Sequence, residues 1–390
     1  MSVLSSTRRL ARALAIQSPV LLNSARFESC RSLHTTLPSG VLCGNSQQLE
    51  PTYWDNTGRH PEWFLVQRRL YSSGPNAVET APTESVKDLY DNMLKSVAEL
   101  KTAPPNSWLW SLVQKSATRE DIELLFNILQ RLRIFRLSNL RIHDNFNCAL
   151  CEEVVKACVR AGAIDYGKKA LWKHNLFGLT PTVGSAHKLL LHAEQHKDVK
   201  LMRDVMELLK KNNLPLQAGT ADIVFRICHD TDNWGYLSKY AKRFVKAGIN
   251  LRQTSIDTWM DFAANKGDLE ALWIAEKLRS ETKKQHTLRS GFACAKGLLL
   301  ENKPENAAEI IELLNQTLPD GKRQGIIDQL QKLVREWPLQ VIKHQKEEDV
   351  KVVASALKNS IPAMVAGLSS MGGGVSVDME YLDTNEGVLS

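Results

Sequence analysis

Two spacings of cysteine and histidine could hold a metal ion. Cys148-Ala-Leu-Cys151 would supply two thiolates, and a zinc site needs two further ligands at suitable spacing. Only His143 and Cys158 are near in sequence, and Cys151 and Cys158 fall on an apolar helical stripe, where cysteine acts as a small hydrophobe. His192-Ala-Glu194 has the H-x-E form of a zinc-activated water site, but the P-C-x-x-C that should follow is missing. No Gly-rich phosphate loop, G-x-S-x-G or H-E-x-x-H occurs. These residues point to no catalytic centre, no metal and no cofactor, so the chain reads as a protein that binds and not as an enzyme.

One stretch suits a polyanion. Arg131-Leu-Arg133-Ile-Phe135-Arg136-Leu-Ser-Asn-Leu-Arg141-Ile-His143 has four arginines, one aromatic ring and no acid. Guanidinium groups grip phosphates in pairs of hydrogen bonds and stack on bases. Lys156, Arg226 and Lys296 could add a basic line, because they share one place in a repeat.

That repeat must position all of them. From Cys148 to Lys322 the chain is five copies of one 35-residue unit without insertion or deletion. With Gly162, Lys197, Asp232, Gly267 and Asn302 at position 15, apolar residues recur at positions 4, 7, 8 and 11, one stripe of an α-helix. A second stripe follows the polar turn and includes Gly167, Met202, Leu237, Leu272 and Ala307. Each unit is therefore a hairpin of two amphipathic helices. One hairpin cannot bury its own stripe but a stack can, which predicts an all-α superhelix, a solenoid of 35-residue helical hairpins.

The period of 35, the Ala-Gly-like turns and endings such as Gly178-Leu-Thr-Pro181 resemble pentatricopeptide repeats, within the wider TPR-like helical-repeat superfamily. The resemblance covers residues 148–322. It implies RNA as a partner, with positions 5 and 35 of each unit reading one base and position 13 often basic, here Arg160. The pairs present are Glu152/Thr182, His187/Gln217, Asp222/Arg252, Asp257/Thr287 and Phe292/Lys322. None has Thr, Ser or Asn with Asp or Asn, and three acids at position 5 would repel phosphates. Expected RNA contact therefore goes through the backbone, at Arg131, Arg133, Arg136, Arg141, Lys156, Arg160, Arg226 and Lys296. Trp234, Trp259, Trp273 and Trp337 read as packing residues and not as base-stacking platforms. Some pentatricopeptide repeat proteins add a C-terminal nuclease or deaminase domain, but 338–390 has no cysteine, no metal-binding aspartate cluster and too few residues.

Residues 1–71 contain eight arginines, no lysine and only four acids, and residues 5–16 can form a basic amphipathic helix. This is the organelle transit pattern, mitochondrial (matrix) with plastid as the alternative. Cleavage after Tyr71 suits Arg69-Leu-Tyr-Ser-Ser73, and Arg31-Ser-Leu-His-Thr-Thr36 is a rival site. The whole chain carries +7 and the remainder after residue 71 only +3, too little for strong nonspecific nucleic-acid binding, so affinity must come from local patches. No stretch approaches 18 uninterrupted apolar residues, which predicts no membrane span. The seven cysteines form no disulfide framework.

The expected organisation is a transit segment at 1–71, a linker and leading helix at 72–106, and a degenerate first repeat or cap at 107–147. Five repeats follow at 148–322, then an altered sixth repeat with a C-terminal cap helix at 323–359, and a disordered tail at 360–390. Three functions fit. The first is a non-catalytic mitochondrial protein, plant-type by resemblance, binding RNA backbone, protein subunits or both within a ribonucleoprotein such as the mitochondrial ribosome. The second is a TPR-like protein-binding adaptor or assembly factor, and the third a sequence-specific organellar RNA-processing factor.

Overall fold

A computed structural model describes residues 85–371, apart from 283, 284, 320 and 322. The expected leader and its cleavage sites, the linker to residue 84, the code residue Lys322 and the tail beyond residue 371 lie outside the described residues.

Among the described residues the regular structure is helical, with no strand. The repeat units form the hairpins α4–α5 (Cys148–Arg160, Ile164–Ala170), α6–α7 (Val183–Gln195, Val199–Lys211), α8–α9 (Ala218–Asp230, Trp234–Lys246), α10–α11 (Gln253–Lys266, Leu269–Glu281) and α12–α13 (Leu288–Leu300, Pro304–Thr317). The turns fall at 161–163, 196–198, 231–233, 267–268 and 301–303, in the register of 35. First helices stack on first helices, α4 on α6, α6 on α8, α8 on α10 and α10 on α12, and each pairs with its own second helix. This is the expected solenoid.

Two backbone devices recur with the period. Position 15 is left-handed in every unit, with φ of 68° at Gly162, 52° at Lys197, 54° at Asp232, 72° at Gly267 and 57° at Asn302. That conformation ends the first helix and turns the chain, and only glycine adopts it without steric cost. Position 35 is the N-cap of the next first helix. Thr182 and Thr287 accept hydrogen bonds there from the amides of Ser185 (3.0 Å) and Ser290 (3.1 Å). Position 16 caps second helices where it is aspartate, Asp198 on the Leu201 amide and Asp268 on the Ala271 amide.

Three helices precede the array: α1 (Val86–Ala98), α2 (Asn106–Lys115) and α3 (Arg119–Ser138), with α2 stacked on α4 and α1 packed on α2 and α3. Thr118 and Asp121 form a reciprocal capping box at the start of α3. The sequence predicts that helix to stop near Arg133. It continues to Ser138, because Ile134 to Ser138 has no breaking residue, and Arg141 at φ 55° then ends it.

Two elements depart from the period. In the first unit α5 stops after seven residues, and a loop replaces the rest of the second helix. The Asn175 side chain organises that loop: its Nδ2 donates to the carbonyls of Trp172 and Leu179 (both 2.8 Å), and its Oδ1 accepts from the Leu179 amide at 2.9 Å. At the C-terminus α14 (Arg323–Arg335) stacks on α12 as a sixth first helix would. Its follower α15 (Trp337–Lys343) does not stack as the next second helix but reaches back to α10. Trp337 Nε1 donates to the Ala264 carbonyl (3.2 Å), and Gln345 Nε2 donates to the Lys266 carbonyl (3.3 Å).

The single helix expected at 339–357 is thus two, α15 and α16 (Glu347–Ser370), parted at His344–Lys346. The disorder expected from Ser360 is overturned as far as Ser370, because Ser360, Ile361, Met364 and Leu368 are buried on α16, which packs on α12 and α13. This 24-residue helix is also long and apolar enough, by length and composition alone, to cross a membrane, which counting uninterrupted apolar residues misses.

The apolar core divides across α12. Cys294 faces the side shared with the preceding helices, and Phe292, Ala295 and Leu299 face α13–α16.

Candidate nucleic-acid interface

The first helices carry positions 2, 5 and 9 of each unit toward the next, so side chains meet across the unit boundary. In the third unit Asp222 (position 5) accepts from Arg252 Nη1 (position 35) at 3.1 Å and from Thr254 Oγ1 at 2.8 Å, and also from Ser255 Oγ. In the fourth, Asp257 accepts from Thr287 Oγ1 and Gln253 Nε2, both at 2.9 Å. Burial is the main cause that raises the Asp257 pKa, with the two hydrogen bonds working against it. Glu152 meets Lys188 Nζ at 3.4 Å beneath Gly184, where a Cβ would come within 2.8 Å of the Glu152 carboxylate. The acids at position 5 are therefore ties between units.

The pair His187/Gln217 differs. His187 Nε2 shares a hydrogen bond with Thr220 Oγ1 at 2.8 Å, and Gln217 is exposed with no side-chain capping bond. Burial, then the Arg252 charge, lowers the His187 pKa, so the ring is neutral at neutral pH. Both line an open cavity of about 480 Å³ between α6 and α8, with Gly219, Asp222, Arg226 and Arg252 on its walls. Glycine at position 2 leaves the space that a larger side chain would fill.

The expected basic residues separate into two groups. Arg160 gives Nε and Nη2 to the carbonyls of Val113, Gln114 and Ser116 at 2.7–3.2 Å, and so caps the end of α2. Lys296 is half-buried and donates to Asn265 Oδ1 at 2.9 Å, beside Asp261 at 3.6 Å; desolvation lowers its pKa. Arg133 Nη1 donates to the carbonyls of His143 (2.8 Å) and Asp144 (2.9 Å), and Arg136 lies 4.5 Å over the Phe146 ring. These four engage the chain itself, a structural part that composition does not show. Arg131, Arg141, Lys156 and Arg226 are exposed. Lys156 has Glu153 at 3.4 Å, and Arg226 pairs with Glu194 at 2.7 Å.

Sequence reasoning missed the cluster around Asp261, at position 9 of the fourth unit. Its carboxylate accepts from Arg289 Nε (3.1 Å) and Nη2 (3.0 Å), with His229 Nε2 and Lys296 Nζ each 3.6 Å away. Burial opposes the charge, but the His229 contact and the Lys296 and Arg289 charges outweigh it and hold the carboxyl well below the usual range. An acid among bases at position 9 was the available signal. Glu276, His286 and Cys294 also converge, with ligand atoms within 4.8 Å of one another. Arg279 donates to both Glu276 oxygens at 2.7 and 2.6 Å, so a guanidinium already supplies the positive charge there. Burial keeps Cys294 a thiol. Of the tryptophans, Trp259 and Trp337 are buried and Trp273 Nε1 donates to Glu301 at 2.7 Å.

Fold and site define a class: an all-α solenoid of 35-residue helical hairpins whose unit boundaries are knit by polar side chains. The sequence matches no protein-family model and no curated protein. Among solved structures the chain is similar to the crystal structure of the pentatricopeptide repeat protein PPR10 in complex with an 18-nt psaJ RNA element, at 14% identity and a TM-score of 0.39, over 76% of this chain and 42% of that one. A cysteine-to-serine variant of the same protein with the same element gives the same figures. The chain spans about two-fifths of the length of the structures it matches.

Proposed function

We propose that this chain is a non-catalytic helical-repeat protein of a mitochondrial ribonucleoprotein, contacting RNA through its backbone and without base-by-base reading. The observation that carries the reading is the cavity between α6 and α8. There two guanidiniums, Arg226 at 47% and Arg252 at 64% side-chain exposure, flank the His187/Gln217 pair. A guanidinium held by one carboxylate keeps further donors for a phosphate. The Arg-rich, lysine-free segment 1–71 supports the mitochondrial setting, with the ribosome as the assembly that the resemblance implies.

A second reading, a protein-binding adaptor, is favoured by a different observation. Lys156, Lys188, Arg226 and Arg252 each face a carboxylate, Glu153, Glu152, Glu194 and Asp222, so the stacked face carries little net charge there.

The test is a titration of the full chain with labelled oligouridylate and with mixed-sequence strands at two salt concentrations. The expected result is weak binding without sequence preference, steep in salt. The double variant Lys156→Ala/Arg226→Ala should flatten the log–log salt slope by about 0.7 for each phosphate it no longer neutralises. Tight binding to one strand, abolished by His187→Ala/Gln217→Ala, would show a sequence-specific factor instead. No binding to any strand would select the adaptor.

A further inference from the structure

The corner where α3 ends beside the truncated first unit has features that the groove lacks. Twelve large apolar side chains are exposed among the described residues, and six of them come from here: Ile134, Leu137, Leu140, Ile142, Trp172 and Leu176. Ile134 is 53%, Trp172 50% and Leu176 68% exposed. Such clustering on a soluble surface marks a contact site, whereas scattered single residues do not.

The corner is fixed in place from within. Asn175 holds the 172–179 loop by its side chain, and the Phe146 amide donates to the Gly178 carbonyl at 2.7 Å, tying that loop to the segment after α3. Arg133 ties the same segment to α3. The stop of α5 at Ala170 is what frees Trp172 and Leu176 from the packing that the later second helices make. Apolar side chains held on a braced backbone lose little entropy when a partner arrives.

The charges say which partner. Arg131, Arg141 and Lys173 are exposed at this corner and enter no ion pair among the described residues, unlike the groove bases, each of which has an acid. The stretches 131–143 and 171–178 contain no acid and the exposed Asp144 follows directly, so these three cations face one neighbouring acid in sequence. An apolar centre with a cationic rim is complementary to an apolar stripe flanked by carboxylates. A nucleic acid would satisfy the three cations but leave the aliphatic side chains against phosphate and water.

We propose that this corner is the docking site for an acidic amphipathic helix of a partner protein. The site goes beyond the groove reading and does not depend on it, since it lies on other elements and uses other residues.

The probe is a synthetic peptide of about 18 residues, roughly five helical turns, with leucine at i, i+3, i+4 and i+7 and glutamate on the flanks. It is titrated into the full chain by fluorescence anisotropy. Controls are a scrambled peptide of the same composition, oligouridylate and phosphatidylcholine vesicles containing phosphatidylglycerol. The amphipathic peptide should bind at least about tenfold more tightly than its scramble. Ile134→Asp/Leu137→Asp and Arg131→Glu/Arg141→Glu should each remove that preference, with circular dichroism unchanged. The Arg131→Glu/Arg141→Glu chain should bind instead a version of the peptide with lysine in place of glutamate, a gain that misfolding cannot mimic. The proposal is overturned if scramble and amphipathic peptide bind alike, if the variants bind the peptide as the wild type does, or if the variants lose oligouridylate or vesicle binding while peptide binding stands.

Discussion

Asp257 and Asp261 lie one turn apart on α10 and have opposite electrostatic fates. Asp257 is buried with neutral donors only, and burial raises its pKa. Asp261 is half-buried among Arg289, Lys296 and His229, which together hold it ionised. Removing the Asp261 charge leaves the half-buried Lys296 and the exposed Arg289 without their counter-charge, so Asp261→Asn should cost about 2–3 kcal/mol in urea unfolding at neutral pH, below the cost for a fully buried pair. Asp257→Asn keeps a similar shape at a site that disfavours charge, and should cost about 1 kcal/mol or less. The sign with pH follows from the depressed pKa of Asp261. Its contribution is present above the unfolded value of 3.8 and is lost only as pH falls through the lower folded value. The wild-type advantage over Asp261→Asn should therefore persist down to about pH 4 and shrink below it. A gap that closed between neutrality and about pH 5 would show that Asp261 titrates as an ordinary carboxyl.

At the scale of elements, the sequence shows what repeats and hides what happens once. Position 15 is readable because the same turn recurs with Gly162 and Gly267 in it, and the helical stripes are readable because α4 to α13 bury their own periodic positions. The roles of Arg160 and Arg133 are not readable. Each spends its charge on backbone carbonyls, Arg160 on a segment 44 residues back and Arg133 on the turn after its own helix, and composition cannot tell such a guanidinium from a free one. The return of α15 onto α10 is equally hidden. A step of 35 lands on Trp337 and suggests a sixth turn, but with Pro338 directly after it the chain enters a seven-residue helix at once, and that helix packs on α10 as well as on α14. Trp337 is instead 1% exposed and anchored to the Ala264 carbonyl. Trp337→Ala should cost about 3–5 kcal/mol through reduced burial and the cavity left behind. Because α15 braces the end of α10, the same variant should speed amide exchange at Ala264 to Lys266, two units away in the stack, more than in α4. Equal exchange at both places would mean that the fold-back bears no load.

At the scale of the molecule, an array held mainly by contacts between adjacent units should tolerate removal of one whole unit and not of part of one. Stability of such an array is roughly a sum of unit and nearest-neighbour terms. Excising 218–252 removes 35 residues and brings α6 against α10. The new junction is chemically competent at one tie, since His187 now bonds Thr220 at position 3, and Ser255 would stand in that place with the same hydroxyl. It is poorer at another: Glu194 loses Arg226 and meets Asp261 at the corresponding position, and Asp261 loses His229. The shortened chain should therefore unfold cooperatively, with a smaller urea dependence in proportion to the surface it buries, but at a lower midpoint. Excising 218–234 instead would join the second helix α7 directly to the second helix α9, with no first helix between them to carry the stack from α6 to α10. The apolar stripe of α9 would then lack its partner, and that chain should show no cooperative transition. If both deletions unfold alike, with or without cooperativity, the 35-residue unit is not the physical unit of this fold.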